Sequence, residues 1–173
     1  MRIALIGLAI LAVAVGAGYW WYERHARGPT LPAGSGVPPE ALAIPADDPD
    51  LLALGEAIYA RECAACHGAE LEGEEDWRRR GPDGLLPAPP HDETGHTWHH
   101  PDVQLFAMTK FGIGAIAGDP DYRTAMPAYR DVLEDEEIIA VLAYIKSRWP
   151  EHIRERHAEF SRQAARNPED WLP

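Results

Sequence analysis

The chain has 173 residues, enough for one domain with its own core plus appendages. Its formal charge of −12 is concentrated in residues 40–149, which hold nine basic and 22 acidic side chains; that sign argues against nucleic acid and for partners with basic docking surfaces, charge setting mainly the encounter rate. Two cysteines, Cys63 and Cys66, are too few for a disulfide framework or for a four-thiolate zinc or iron–sulfur site within one chain.

The first element in chain order is a run of 20 residues, Ile3 to Tyr22, without a charged side chain. At 1.5 Å per residue such a run spans a hydrocarbon core. It ends in Tyr19-Trp20-Trp21-Tyr22, an aromatic group suited to a bilayer interface. The competing reading is a cleaved signal peptide with Ile3–Ala14 as its apolar region. Cleavage would leave four aromatics at an exposed new terminus, so residues 1–22 are expected to be an uncut transmembrane anchor. Arg2 is the only basic side chain before the run and more follow it, so loop charge weakly opposes an N-inside orientation.

Residues 23–48 read as a linker. Within residues 28–39, three Gly and four Pro exclude a helix or a paired strand. Fully extended, that stretch reaches roughly 35 Å at about 3.1 Å per residue.

The globular part is expected over residues 49–149. Pro49-Asp50 opens a helix, since proline is tolerated in a first turn. Leu51, Leu54, Ile58 and Tyr59 recur at helical spacing, and the helix runs on to Cys63. Cys63-Ala64-Ala65-Cys66-His67 is the C-x-x-C-H pattern of covalent haem attachment. Two intervening residues let both thiols reach the two vinyl groups on one porphyrin edge, and the adjacent His67 offers an imidazole nitrogen to the iron. Half a zinc site would need a second ligand pair, and a thioredoxin-like redox pair would need a βαβ setting that the sequence lacks. One covalent haem c is therefore the expected cofactor.

Residues 68–100 read as loop. They include His91-Asp92-Glu93, His96 and His99-His100, imidazoles and carboxylates that could bind copper or zinc although the spacings match no particular site; a polar loop shielding a haem edge, with Trp98 packed inward, is the expected role. A second helix is predicted over Asp102–Phe111, with Val103, Phe106 and Ala107 on one face and Gly112 and Gly114 ending it. Residues 113–132 read as loop. A haem c iron usually takes a second axial ligand. Met108 falls inside a helix, where methionine most often fills core. Met126 precedes Pro127, which biases it to extended backbone and frees it to point inward. Met126 is therefore the expected sixth ligand, with His96 a minor alternative. A third helix is predicted from Glu134-Asp135-Glu136-Glu137, acids that suit a helix dipole, through Ile138, Val141, Leu142 and Ile145 to a stop before Pro150. The tail, residues 150–173, is charged and reads as a helix over 151–166 that is mostly solvated.

Together, Leu54-Gly55-Glu56-Ala57-Ile58-Tyr59 through Cys66-His67-Gly68, then Thr124-Ala125-Met126-Pro127-Ala128-Tyr129, then Leu133-Glu134-Asp135-Glu136-Glu137-Ile138 to Leu142-Ala143-Tyr144-Ile145 resemble a class I c-type cytochrome over roughly residues 49–149. The resemblance implies an all-α fold of three main helices around haem, with His67 and Met126 on opposite sides of the iron. It implies a crossing of the first and last helices at Gly55, Tyr59 and Tyr144, and a proline carbonyl, from Pro87 or Pro89, holding the His67 ring. Glu134 stands where that family often has a Ser cap, which implies a weaker cap. In that family haem is attached outside the cytoplasmic membrane. The implied setting is therefore a bacterial inner membrane with the haem domain in the periplasm, against the loop-charge signal. The implied function is one-electron transfer between redox partner proteins rather than enzymatic turnover. The alternative is a dedicated haem subunit of an oxidoreductase, or a cytochrome linked to copper or other metal handling.

Overall fold

Three helices organise the chain, and a single side-chain absence sets how two of them cross. The structure, a computed structural model, describes residues 36–117, 119 and 121–172. The expected anchor over residues 1–22 lies outside these. Among the described residues no helix is long and apolar enough to cross a membrane, and none forms a strand.

Helix α1, Pro49–Ile58, starts on Asp48, whose carboxylate accepts hydrogen bonds from the backbone N–H groups of Asp50 and Leu51 at 3.0 and 3.2 Å. This satisfies orphan donors of the first turn. The chain then widens into a π turn, Tyr59–Cys63, and tightens into a last helical turn, α2, Ala64–His67. Such widened turns recur at functional sites; this one leads straight into the cysteine pair. The contact stripe of α1 runs through Leu51, Leu52, Gly55 and Ile58 to Tyr59. Leu54, expected on that stripe, is exposed, because the face turned to the partner helix is centred on Gly55.

Helix α3 spans Asp102–Phe111 and ends at Gly112, as the sequence predicts. Gly114 does not end it: a short helix α4, Ile113–Ala117, follows within the stretch expected to be loop. Helix α5, Asp135–Ser147, is the central element, buried on nearly every side from Ile138 to Lys146. Its cap is stronger than the resemblance implied. The Glu134 side chain accepts from the Glu137 backbone, and the Glu134 N–H donates to Glu137 Oε2 at 3.0 Å, forming a reciprocal capping box. A carboxylate thus replaces the Ser hydroxyl in the same role.

Helices α1 and α5 pack directly on each other. A Cβ at Gly55 would overlap the Ala140 carbonyl oxygen and come within 2.9 Å of Tyr144 Cβ. Only glycine permits this approach. The Tyr59 and Tyr144 rings close the crossing at 5.5 Å between centroids. Gly55, Tyr59 and Tyr144 therefore meet as the resemblance implied.

The packing extends beyond residues 49–149 at both ends. Val37, Ala41, Leu42 and Ile44, assigned by composition to the linker, are buried around a 3-10 turn, Pro39–Leu42. Helix α6, Glu151–Ala164, is helical as expected but not solvated all round. Ile153, His157, Ser161 and Ala164 form a buried stripe at helical spacing. Two of those four residues are polar, so the stripe is faint in the sequence.

One polar cluster joins these additions. Lys146 and Asp102 are 5% and 1% exposed. Lys146 Nζ donates to both Asp102 oxygens at 2.7 and 2.8 Å and to the Ile44 carbonyl at 2.6 Å. Ile44 N–H donates to Asp102 Oδ2 at 2.9 Å, and Asp102 N–H donates to Ser161 Oγ at 3.1 Å. Burial pushes the Lys146 amine down, while the adjacent carboxylate pulls it back. Three oxygen acceptors around Nζ match the three N–H donors of an ammonium.

Candidate functional site

The attachment motif is held by hydrogen bonds on both sides. Tyr59 O–H donates to the Gly68 carbonyl at 2.8 Å, and Tyr129 O–H donates to the Glu62 carbonyl at 2.9 Å. Burial first, then nearby Cys63, raises both phenols, Tyr129 to about 12, so each stays protonated as a donor. Gly68 ends α2 with φ at +80°, a conformation that favours glycine. Neither tyrosine was assigned a bond to this motif by the sequence. The signal was present only as their membership of the two motif stretches.

Both cysteines are free. Cys63 is half-buried and Cys66 exposed. Burial, then Glu62 and Cys66, pushes the Cys63 thiol up to about 11. Reactive redox thiols are shifted the other way, and the helical surroundings contain no βαβ unit. The thioredoxin-like reading therefore fails on chemistry as well as on fold.

His67 is 8% exposed. Its Nδ1 lies 2.8 Å from the Pro89 carbonyl oxygen. A carbonyl can only accept, so Nδ1 carries the proton and Nε2 is left with a bare lone pair. Burial lowers the tendency of His67 to take a second proton. This is the state a metal-ligating histidine needs, with its other nitrogen oriented by a carbonyl. Of the two prolines open from sequence, Pro89 supplies that carbonyl.

Met126 is half-buried and packs against the core. Its segment is fixed at one end by backbone bonds from Tyr129 N–H to Thr109 O and Arg130 N–H to Lys110 O, both 3.0 Å. Its own N–H donates to Thr124 Oγ1 at 3.0 Å. Met108, half-buried on α3, also packs against the core. Cys63, Cys66 and His67 are thus brought together on one helical turn, and Met126 is supplied by a separate, anchored segment.

The histidine-rich loop is engaged in packing. His96 stacks on Trp77 and Trp98 on His99; His100 Nδ1 lies 2.9 Å from Gln104 Oε1. Among the described residues no three His, Cys, Asp or Glu side chains gather as a metal site. His91 is different: its ring stacks on His67, with centroids 3.9 Å apart and planes 22° apart. Burial, then its neighbours His67 and His96, pushes it well below the usual histidine range, so it is neutral. Nothing in the spacing of the loop histidines singles out His91 as the one that meets His67.

A family model described as Cytochrome c matches residues 52–149. Cytochrome c6 of Tetradesmus obliquus is 30% identical over 95 residues, covering 54% of this chain and 86% of that protein. Cytochrome c6 of Chlorolobion braunii is likewise 30% identical over 95 residues, with the same coverage. Subunit CcoP of the cbb3-type cytochrome c oxidase of Rubrivivax gelatinosus is 37% identical over 60 residues, covering 35% of this chain and 19% of that protein. No solved structure matches the chain significantly.

Proposed function

The chain belongs to the cytochrome c family, which carries electrons on a covalently attached haem c, and from that premise we propose that it is a mono-haem carrier whose haem is bound by Cys63, Cys66, His67 and Met126. The observation that carries this reading is the His67–Pro89 bond of 2.8 Å, which leaves Nε2 bare. The residues fit the group. Cys63 and Cys66, separated by two residues on the chain, would carry the thioether links, and His67 Nε2 and the Met126 thioether would hold the iron. Bound there, the haem would supply a one-electron couple, and with His67 and Met126 both holding the iron these residues would leave no place for a substrate. Methionine ligation favours the reduced form and raises the potential.

Met126→Ala tests the ligand set. It removes the near-infrared sulfur-to-iron charge-transfer band of the oxidised protein, lowers the potential and opens the iron to carbon monoxide. Met108→Ala leaves the band in place and costs about 2 kcal/mol of stability, near the low end for a methionine because the side chain is only half-buried. A band lost in Met108→Ala and kept in Met126→Ala would reverse the assignment. A native protein without the band would point to nitrogen, with His96 as the candidate.

We place the haem domain in a bacterial periplasm, held to the inner membrane by Ile3–Tyr22. The support is the length of that apolar run and its aromatic end. The full-length protein then stays with membranes after a high-salt wash, while a chain beginning at Gly28 behind a cleavable export signal is recovered soluble with haem. A mature N-terminus at Val15 or Gly18 would sink the anchor. The acidic body suits redox partners with basic docking surfaces. The likeness to CcoP favours a second reading, a haem subunit within an oxidase complex. Co-purification of oxidase subunits with the detergent-solubilised protein separates it from a free shuttle.

A further inference from the structure

His91 lies two residues beyond Pro89, and three elements hold it. Its N–H donates to the Leu71 carbonyl at 2.8 Å. Its own carbonyl accepts from Trp149 Nε1–H at 2.7 Å, just beyond α5. Its Nδ1 shares a 2.7 Å hydrogen bond with Thr97 Oγ1, in the 3-10 turn Thr97–His99. Thr97 and Trp149 are 6% and 2% exposed. A solvated surface histidine has no such bracing. The result is a flat ring pressed face-on against the His67 ring at 3.9 Å.

We propose that His91 is a positioning residue for His67: it fixes the plane of the ligand imidazole and stabilises the oxidised protein. This rests on the reading that His67 carries the iron. The Pro89 bond decides which His67 nitrogen is bare; a flat face against the ring restricts how the ring turns about its bond to the metal. The stack also has an electrostatic sense. A ligand imidazole bears more positive charge on ferric than on ferrous iron, and the face of an aromatic ring attracts positive charge. The contact therefore strengthens on oxidation, which lowers the potential. This opposes the effect of Met126 and trims it. Trp149 and Thr97 act through His91, so the end of α5 and the histidine-rich loop both reach the iron without touching it.

The test uses the haem-loaded full-length chain with His91→Leu, His91→Phe and Thr97→Val. Potential is read by equilibrium redox titration, ligand-plane orientation by the low-spin electron paramagnetic resonance g values, and stability by thermal unfolding. His91→Leu is expected to raise the potential by up to about tenfold in the redox equilibrium, which is 59 mV for one electron, and to shift the g values. His91→Phe keeps a flat aromatic face and restores most of both. Thr97→Val, which loosens the ring without removing it, moves both in the Leu direction by less. Unchanged potential and g values in His91→Leu, with only a lower unfolding temperature, would make His91 a packing residue and overturn the proposal. So would a His91→Phe that behaves like His91→Leu. If His91→Leu does not fold, an unchanged potential in Thr97→Val overturns it instead. A native chain without covalent haem would sink the haem-binding assignment, and the proposal with it, before any variant is compared.

Discussion

A chain carrying Cys63→Ala and Cys66→Ala runs without haem in a denaturing gel, whereas the native chain keeps it. The expectation follows from thioether attachment: denaturant would break the proposed bonds of His67 and Met126 to iron, but only loss of both sulfurs would free the porphyrin. The single variants separate the two roles. Cys66 is exposed and Cys63 half-buried, so Cys66→Ala removes one link with little packing loss. Cys63→Ala also removes a half-buried sulfur beside Glu62, whose carbonyl accepts the Tyr129 bond. Each single variant retains some covalent haem with a shifted α-band, because one unreacted vinyl group stays conjugated with the ring. Covalent haem persisting in the double variant would show that another residue carries it, and the central assignment would fall.

Lys146→Ala lowers stability by about 3–5 kcal/mol, the range for breaking a buried ion pair by removing one partner. The cause is what stays behind: Asp102, 1% exposed, loses its ammonium partner, with the His157 ring 3.9 Å away as the remaining cationic candidate, and the Ile44 carbonyl loses its donor. For a domain of this size each kcal/mol moves the midpoint by roughly 2–4 °C, so thermal unfolding reads a fall on the order of 10 °C. Replacing both charges, Lys146→Met with Asp102→Leu, recovers only part of this. An apolar pair removes the uncompensated charge, yet Ile44 N–H and C=O remain buried without partners. Haem content is unaffected in both variants, since neither residue belongs to the attachment motif. A change under 1 kcal/mol in Lys146→Ala would mean that water or a local shift already satisfies Asp102.

The three main helices were legible because each carries a local signal that burial reinforces. The Asp48–Pro49 start, the Gly112 stop and the acids at Glu134–Glu137 are read from a few adjacent residues. What failed did so where the signal is not local. Composition made residues 36–44 a linker, because Gly and Pro disfavour a long helix or strand; it does not rule out burial, and Val37, Ala41, Leu42 and Ile44 enter the core around a short 3-10 turn. Charge made α6 a mostly solvated helix, as it is, but hid its buried stripe, because His157 and Ser161 count as polar; each is buried by a specific bond, His157 Nε2–H to the His100 carbonyl at 2.8 Å and Ser161 to Asp102. Leu54 counted as core because leucine is apolar, while the residue that faces the partner helix is Gly55, which no hydrophobicity pattern can favour.

The sequence by itself determined the chemistry of attachment. Cys63, Cys66 and His67 are neighbours on the chain, and the spacing of a single helical turn fixes how two thiols and an imidazole can meet one porphyrin edge. Tertiary structure alone decided which residues surround that motif. Pro89 rather than Pro87 holds the His67 proton, His91 rather than His96 lies on its ring, and Trp149, 58 residues further on, braces His91. These contacts join residues far apart in sequence through loops whose path is set by packing. A side chain's type says which bonds it can make, but only the fold says which partner is within reach.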